Sequence, residues 1–136
     1  MPAYTFKQRA WIFVQRFWQP TSACMTCMPG SLGNVMSAAH WALALQTGLV
    51  TGVLALALSF TPIGRLYGNR WGNALLVGAL TAFADAWSHP NNYGFWHAEA
   101  LLTGLVSALI VLAGSFLFED RARRLRAVWA RVRPTG

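Results

Sequence analysis

The sequence predicts an all-α integral membrane protein with three transmembrane helices, flanked at both ends by amphipathic helices that lie on the membrane. The first observation is composition: the 136-residue chain is 55% hydrophobic and 11% charged, whereas about a quarter of the residues of soluble domains are charged. The second is that the net charge of +7 lies mainly at the two ends of the chain. This composition excludes a large soluble catalytic fold. Between residues 17 and 118 the charged side chains are only Arg65, Arg70, Asp85 and Glu99.

Three apolar stretches are long enough to cross a membrane. A hydrocarbon core of ~30 Å needs about 20 apolar residues in a helix. We therefore expect transmembrane helices over about 35–63, 71–87 and 95–118. Proline and glycine follow the first stretch, and a polar turn that begins at Ser88 precedes the third, so each stretch has a defined end.

The remaining residues are expected to flank the spans within one membrane domain, residues 1–136. We expect an interfacial amphipathic helix over 5–18 and a loop with a CxxC motif over 19–34. The three-span bundle follows over 35–118, and the basic amphipathic tail covers 119–136. Basic residues opposite an apolar helical face are typical of helices that lie against lipid headgroups.

Orientation follows from the basic residues near the span ends. Arg65 and Arg70 follow the first span and six arginines follow the third, and Lys and Arg accumulate on the cytoplasmic side. With three crossings, this predicts a multi-pass protein of the bacterial inner (cytoplasmic) membrane with its N-terminus outside and its C-terminus cytoplasmic. Lys7, Arg9 and Arg16 then lie on the side that the rule disfavours.

Small residues are spaced four apart along all three predicted spans. In a membrane, helices associate where small residues let their backbones approach. Three helices have few mutual contacts, so we expect further contacts with a second copy or with other membrane subunits. The expected partners are the lipid bilayer and such subunits, without nucleic acid. The small residues are Ala74, Gly78, Ala82 and Ala86, the pair Gly48 and Gly52, and the pair Gly104 and Ala108.

Polar side chains that bind metals gather at the outer face under this topology. Ionisable groups in or near a membrane are costly, which suggests a function for them. Imidazole and carboxylate together suit zinc, copper or iron, of which zinc and copper are the expected cofactors. The alternative is that Asp85 caps the following turn, a histidine pairs with Glu99, and no metal binds. The candidate metal ligands are Asp85, His89, His97, Glu99, His40, Cys24 and Cys27.

The CxxC motif, Cys24 and Cys27, has several interpretations. In an oxidising compartment a disulfide would brace the loop. The two thiols, with two neighbouring methionines, also suit capture of a soft metal or half of a zinc site. A thiol oxidoreductase is a further alternative, although a second redox pair is lacking in the sequence.

Three functions remain open at this point. The first is a small non-enzymatic membrane subunit, possessing no catalytic residues, that packs into a homo-oligomer or serves as an accessory subunit of a larger inner-membrane complex. The second is a protein that binds or transports copper or zinc ions through the outer cluster. The third is a pore former, because three spans with an outer N-terminus and a basic tail are similar in architecture to phage holins.

Overall fold

The structure, a computed structural model, describes residues 4–27, 36–89 and 98–132, with the side chains of residues 27 and 120–132 excepted. These ranges are helical with short turns, and they contain no strand. The elements in chain order are α1 (Phe6–Cys27), α2 (Ala38–Leu58), a 3-10 helix (Pro62–Gly68), α3 (Arg70–Ser88) and α4 (Ala98–Val132).

The four α-helices form an up-and-down bundle. Helix α1 runs antiparallel to α2, because Cys24 lies beside His40 near one end and the Arg9 guanidinium stacks on the Phe60 ring, 3.7 Å from its centroid, at the other. Helix α3 runs antiparallel to α4. Helices α2 and α3 also pack together, as do α1 and α4, so each helix has two neighbours in a closed ring. This is the arrangement of a four-helix bundle with short connections.

The two ends of the bundle differ in chemistry. The basic end contains the start of α1 and the 3-10 helix, which are linked where Tyr4 Oη donates to the carbonyl of Gly64 at 3.0 Å. Arg9, Arg65 and Arg70 belong to this end. The opposite end, called the histidine end below, contains His40 and His89 together with the end of α1.

Side-chain hydrogen bonds fix where the helices begin. Thr5 and Gln8 form a capping box: the Thr5 N–H donates to Gln8 Oε1 at 2.8 Å, and the Gln8 N–H donates to Thr5 Oγ1 at 3.4 Å. Ser37 Oγ accepts from the N–H of His40 before α2, and Asn69 Oδ1 accepts from the N–H of Trp71 at the start of α3. Such bonds satisfy amides that the first helical turn leaves without partners.

The interior is small and polar, whereas the exterior is large and apolar. Within the described residues, the interior has one cluster of buried apolar side chains, which centres on Ala74, Val77 and Val111. Large apolar side chains face outward on every helix, including Leu75 at 72% and Trp87 at 65% exposure. This distribution is the reverse of a soluble bundle, in which the large apolar residues are inside. The most deeply buried polar residues are Thr21, Thr47, Thr51, Thr81, Thr103 and Ser107.

Two helical segments, Ala38–Leu58 and Ala98–Glu119, are long and apolar enough to cross a membrane. They correspond to the first and third spans expected from the sequence. The second expected span, 71–87, coincides with α3, but this helix is not among the segments that meet both criteria. An all-helical fold with two candidate spans is therefore what the described residues show.

The small residues of the expected ridges pack within one chain. A Cβ atom at Gly48 would collide with Thr21 Oγ1 of α1, and one at Gly104 would lie 2.5 Å from the carbonyl oxygen of Gly78. Helix α1 thus occupies the groove of α2, while α3 and α4 fill each other's grooves. These glycines already pack against helices of the same chain, so they do not support contacts with a second copy or another subunit. Such contacts stay a prediction.

Helix α1 corrects two expectations. The loop predicted from residue 19 is wrong for residues 19–27, which continue the helix to Cys27. The interfacial helix predicted over 5–18, with its basic residues at the lipid headgroups, is also wrong for Arg16, which is 3% exposed and lies inside the bundle. The two corrections have separate physical reasons. Gly48 of α2 lets the Thr21 side chain and the Phe17 backbone approach closely, which holds this part of α1 against α2. Arg16 is held inside by hydrogen bonds to Gln19 and to Asn73 of α3.

Helix α4 corrects a third expectation. The basic tail was predicted as a separate helix from residue 119, but α4 runs without a break to Val132. No proline or glycine follows Gly114 before Pro134, so nothing in the local sequence ends the helix. Residues 28–35, 90–97 and 133–136, which include the rest of the CxxC loop and the turn after α3, lie outside the described residues.

Candidate metal centre

Three metal-binding side chains meet at the histidine end. One ligand atom from each of Cys24, Asp85 and His89 lies within 4.8 Å of the other two. Cys24 is 4% exposed and Asp85 is 3% exposed, and His89 is partly buried. A thiol, a carboxylate and an imidazole from two different helices therefore surround one small space at the end of the bundle.

The end of α3 places Asp85 and His89 on one helical face, four residues apart. The backbone N–H of His89 donates to the Asp85 carbonyl at 3.0 Å, and Nδ1 of the same ring lies 2.9 Å from that oxygen. A carbonyl only accepts, so a hydrogen bond here requires the tautomer with a proton on Nδ1, in which Nε2 carries the lone pair that could bind a metal. Metal-bound histidines are usually oriented by such a bond through the other nitrogen.

Helices α1 and α2 bring a second histidine to the same place. Sγ of Cys24 lies 4.0 Å from Nε2 of His40, which is 3% exposed. Both groups are inside the bundle because α1 reaches along the groove of α2 to its first turn. His40 is thus a neighbour of the three-residue cluster through Cys24.

Helix α4 completes the surroundings of the carboxylate. Cys24 and Thr103 lie within hydrogen-bonding range of the Asp85 side chain, and the carboxylate of Glu99 is close enough to act on it electrostatically. Nδ1 of His89 is 3.5 Å from Oδ1 of Asp85, an oxygen that is buried and lacks a hydrogen-bond partner. The site therefore combines two acidic groups with a carboxylate oxygen that still has lone pairs to offer.

The structure brings five of the seven expected site residues to one end. Cys24, Asp85 and His89 form the cluster, His40 lies beside Cys24, and Glu99 lies near Asp85. Cys27 belongs to the last turn of α1, with its side chain outside the described atoms, and His97 is outside the described residues altogether. Whether these residues bind a metal stays a prediction.

The cysteine motif has a different local structure from the one expected. Cys24 carries a thiol and not a disulfide, and the two cysteines lie three residues apart in the last turn of α1. The expected disulfide that braces a loop is therefore not formed at Cys24. Thr103 is a neighbour that the sequence reasoning missed, although its position one helical turn after Glu99 could have indicated it.

The set of donor atoms favours zinc over harder cations. Zinc binds cysteine sulfur, histidine nitrogen and carboxylate oxygen, whereas calcium and magnesium prefer oxygen alone. In a tetrahedral zinc site the ligand atoms are roughly 3.5 Å apart, so the observed maximum of 4.8 Å requires a small inward rotation of the side chains on binding.

Comparison with known proteins gives no relative for this fold or site. No family model matches the sequence, and neither the curated proteins nor the solved structures contain a match. Its function therefore has to be argued from its own residues.

Proposed function

We propose that the protein is an integral membrane protein whose four helices all cross the bilayer, and that its histidine end binds a transition-metal ion, with zinc as the preferred ion. The observation that carries the metal assignment is the approach of the Cys24, Asp85 and His89 ligand atoms to within 4.8 Å. The membrane assignment is supported by the reversed distribution of apolar side chains.

Helix α1 has the outer surface of a membrane helix although its composition is mixed. Trp11, Val14 and Trp18 are exposed, while Arg16 and Thr21 are buried. In a membrane, the three exposed apolar side chains would lie against lipid hydrocarbon. Arg16 and Thr21, inside the bundle, would not contact lipid. This pattern supports α1 as a span beside α2 and α4.

A fourth span changes the expected orientation. With α1 antiparallel to α2, Lys7 and Arg9 lie at the same end as Arg65 and Arg70. All the basic segments then lie on one side, and the conflict with the positive-inside rule disappears. We therefore place both ends of the chain in the cytoplasm and the histidine end on the outer face of a bacterial inner membrane.

The burial of the Asp85 carboxylate supports a function for the cluster. A carboxylate near the membrane interior is expensive and is found mainly where it has a partner or a task. Asp85 has both a partner, His89, and an oxygen without a hydrogen bond. A bound dication would neutralise the acidic groups and supply the missing contact.

Metal analysis of protein purified in detergent without chelators tests the assignment. We expect about one zinc ion per chain, and we expect Cys24→Ser, Asp85→Asn and His89→Gln each to lower zinc affinity at least tenfold, in line with loss of a ligand. Glu119→Gln is the matched carboxylate control at the basic end, where Glu119 pairs with Arg70, and its zinc affinity should equal that of the parent.

Zinc titration of the same proteins can also contradict the metal assignment. Parent protein that takes up neither zinc nor copper, or cluster variants that bind as tightly as the parent, would contradict the metal assignment. A role as a non-enzymatic subunit in a homo-oligomer or larger complex, and a holin-like pore, both stay predictions.

A further inference from the structure

A second site lies at the other end of the bundle, where α1, α3 and α4 enclose a cavity of about 430 Å³. Volumes of this size are typical of pockets for small molecules. Trp11 and Phe118 line the cavity and are 61% and 73% exposed, so it opens on the outer surface between α1 and α4. Its polar lining consists of Gln15, Arg16, Gln19, Asn73, Ser115 and Glu119.

Arg16 is the unusual member of this lining. It is 3% exposed, and its hydrogen bonds go to neutral amides: Nη1 donates to Gln19 Oε1 and Nη2 donates to Asn73 Oδ1, both at 2.5 Å. Its Nε is buried without a partner. A buried cation is costly unless an anion accompanies it. The two amides hold the guanidinium in place without neutralising it.

The acidic group in the cavity is already engaged. Glu119 Oε2 lies 3.5 Å from Nη2 of Arg70, and both side chains are partly exposed at the rim. Arg16 forms no ion pair with it among the described residues. The Tyr67 ring centroid lies 5.6 Å from Cζ of Arg16, a contact that does not neutralise the guanidinium. The positive charge of Arg16 is therefore available to a ligand, and Glu119 disfavours ligands that carry several negative charges.

The unused donors of the guanidinium indicate the shape of the anion. Arg16 has five N–H donors, and two of them are used by the amides. A guanidinium with donors to spare can hold a planar carboxylate through two parallel hydrogen bonds. Trp11, Val111 and Phe118 supply the apolar part of the same lining.

We propose that this cavity binds an amphiphilic monocarboxylate, a single-chain fatty acid being the simplest example. The carboxylate lies on Arg16 at the basic end, and the hydrocarbon chain leaves between Trp11 and Phe118 toward the lipid. One negative charge balances the one buried positive charge. The site is independent of the metal centre, which lies at the opposite end of the bundle.

Binding of radiolabelled palmitate to the full chain in an uncharged detergent tests the proposal. We expect saturable binding of one palmitate per chain, and at least tenfold weaker binding of hexadecanol, which has the same chain without the charge. Arg16→Gln should lower palmitate affinity at least tenfold. Arg9→Gln is the matched control, since Arg9 stacks on Phe60 and does not line the cavity, and it should bind palmitate as the parent does.

A second variant removes the space and leaves Arg16 in place. A Cβ atom at Gly114 meets nothing within 4 Å, although this residue lines the cavity. Gly114→Leu should therefore fold, fill the cavity and abolish palmitate binding. Its control is Ala113→Leu, because residue 113 is exposed on the same helix and does not line the cavity.

Three results would overturn the proposal. The first is equal binding of palmitate and hexadecanol. The second is parental palmitate affinity in both Arg16→Gln and Gly114→Leu. The third is displacement of palmitate by phosphatidylglycerol at equal concentration, which would assign the site to a phospholipid headgroup instead of a monocarboxylate.

Discussion

Individual residues in the core show that this bundle buries hydroxyl groups in place of large apolar side chains. Thr51 Oγ1 donates to the Thr47 carbonyl one turn earlier at 2.8 Å, whereas the hydroxyls of Thr47, Thr81 and Ser107 have no partner among the described atoms. Tyr67 is a further example at the basic end: burial raises its pKa to about 12, opposed by the charge of Arg16, and its neutral hydroxyl donates to the Ala55 carbonyl.

Replacement of Thr81 by valine tests whether these hydroxyls weaken the bundle. Thr81→Val keeps the shape of the side chain and removes a buried polar atom without a partner, so we expect the free energy of unfolding to rise by about 1 kcal/mol. Thr51→Val is the control, because it removes a formed hydrogen bond, and its free energy of unfolding should fall by about 0.5–1 kcal/mol. Thermal unfolding in detergent, followed by tryptophan fluorescence, measures both.

Loss of stability in Thr81→Val would contradict this prediction. It would indicate that a water molecule or another ligand satisfies the Thr81 hydroxyl in the folded protein.

At the scale of elements, the apolar stretches predict that α2, α3 and α4 exist, since each stretch overlaps one helix. They do not predict that α4 continues to Val132, and α3 does not meet both criteria for a membrane span. Helix α1 was predicted only in part. Arg16, Gln19 and Pro20 interrupt its hydropathy, and α1 packs on the bundle through contacts such as that of Thr21 with Gly48 of α2, which is distant in sequence. The same limitation hid the Arg16 cavity, because the partner Asn73 comes from α3.

Gly48→Ala tests the pairing of α1 with α2. The new Cβ atom would collide with Thr21 and with the backbone of Phe17, so we expect the free energy of unfolding to fall by about 1–3 kcal/mol, as in other overpacked sites. Gly114→Ala is the matched control, because its Cβ atom enters open space and alanine favours the helix by up to about 1 kcal/mol. Equal melting temperatures for the two variants would argue against close packing at Gly48.

For the whole molecule, the gathering of Cys24, Asp85 and His89 at one end could be predicted from the sequence, but the approach of their side chains to within 4.8 Å could not. Asp85 and His89 are four apart in one helix, which a sequence reveals. The approach of Cys24 depends on α1 running the full length of α2, a packing that local hydropathy does not encode.

Four membrane crossings and three membrane crossings predict different locations for the N-terminus. With α1 inserted, green fluorescent protein fused to either end should fluoresce, because it folds in the cytoplasm, and alkaline phosphatase fused to either end should be inactive. Parallel fusions in the same host give the measurement. An active phosphatase at the N-terminal end would restore the three-span topology and its outer N-terminus.

Pro20 interrupts the backbone hydrogen bonds of α1 and so affects how this helix can bend. This fully buried residue lies inside the helix, and its ring nitrogen has no hydrogen for the carbonyl of Arg16 four residues earlier. Helix α1 therefore lacks one backbone hydrogen bond between the half that carries Arg16 and the half that carries Cys24. A missing hydrogen bond of this kind lets a helix kink, so we expect α1 to bend more easily at Pro20 than elsewhere along its length.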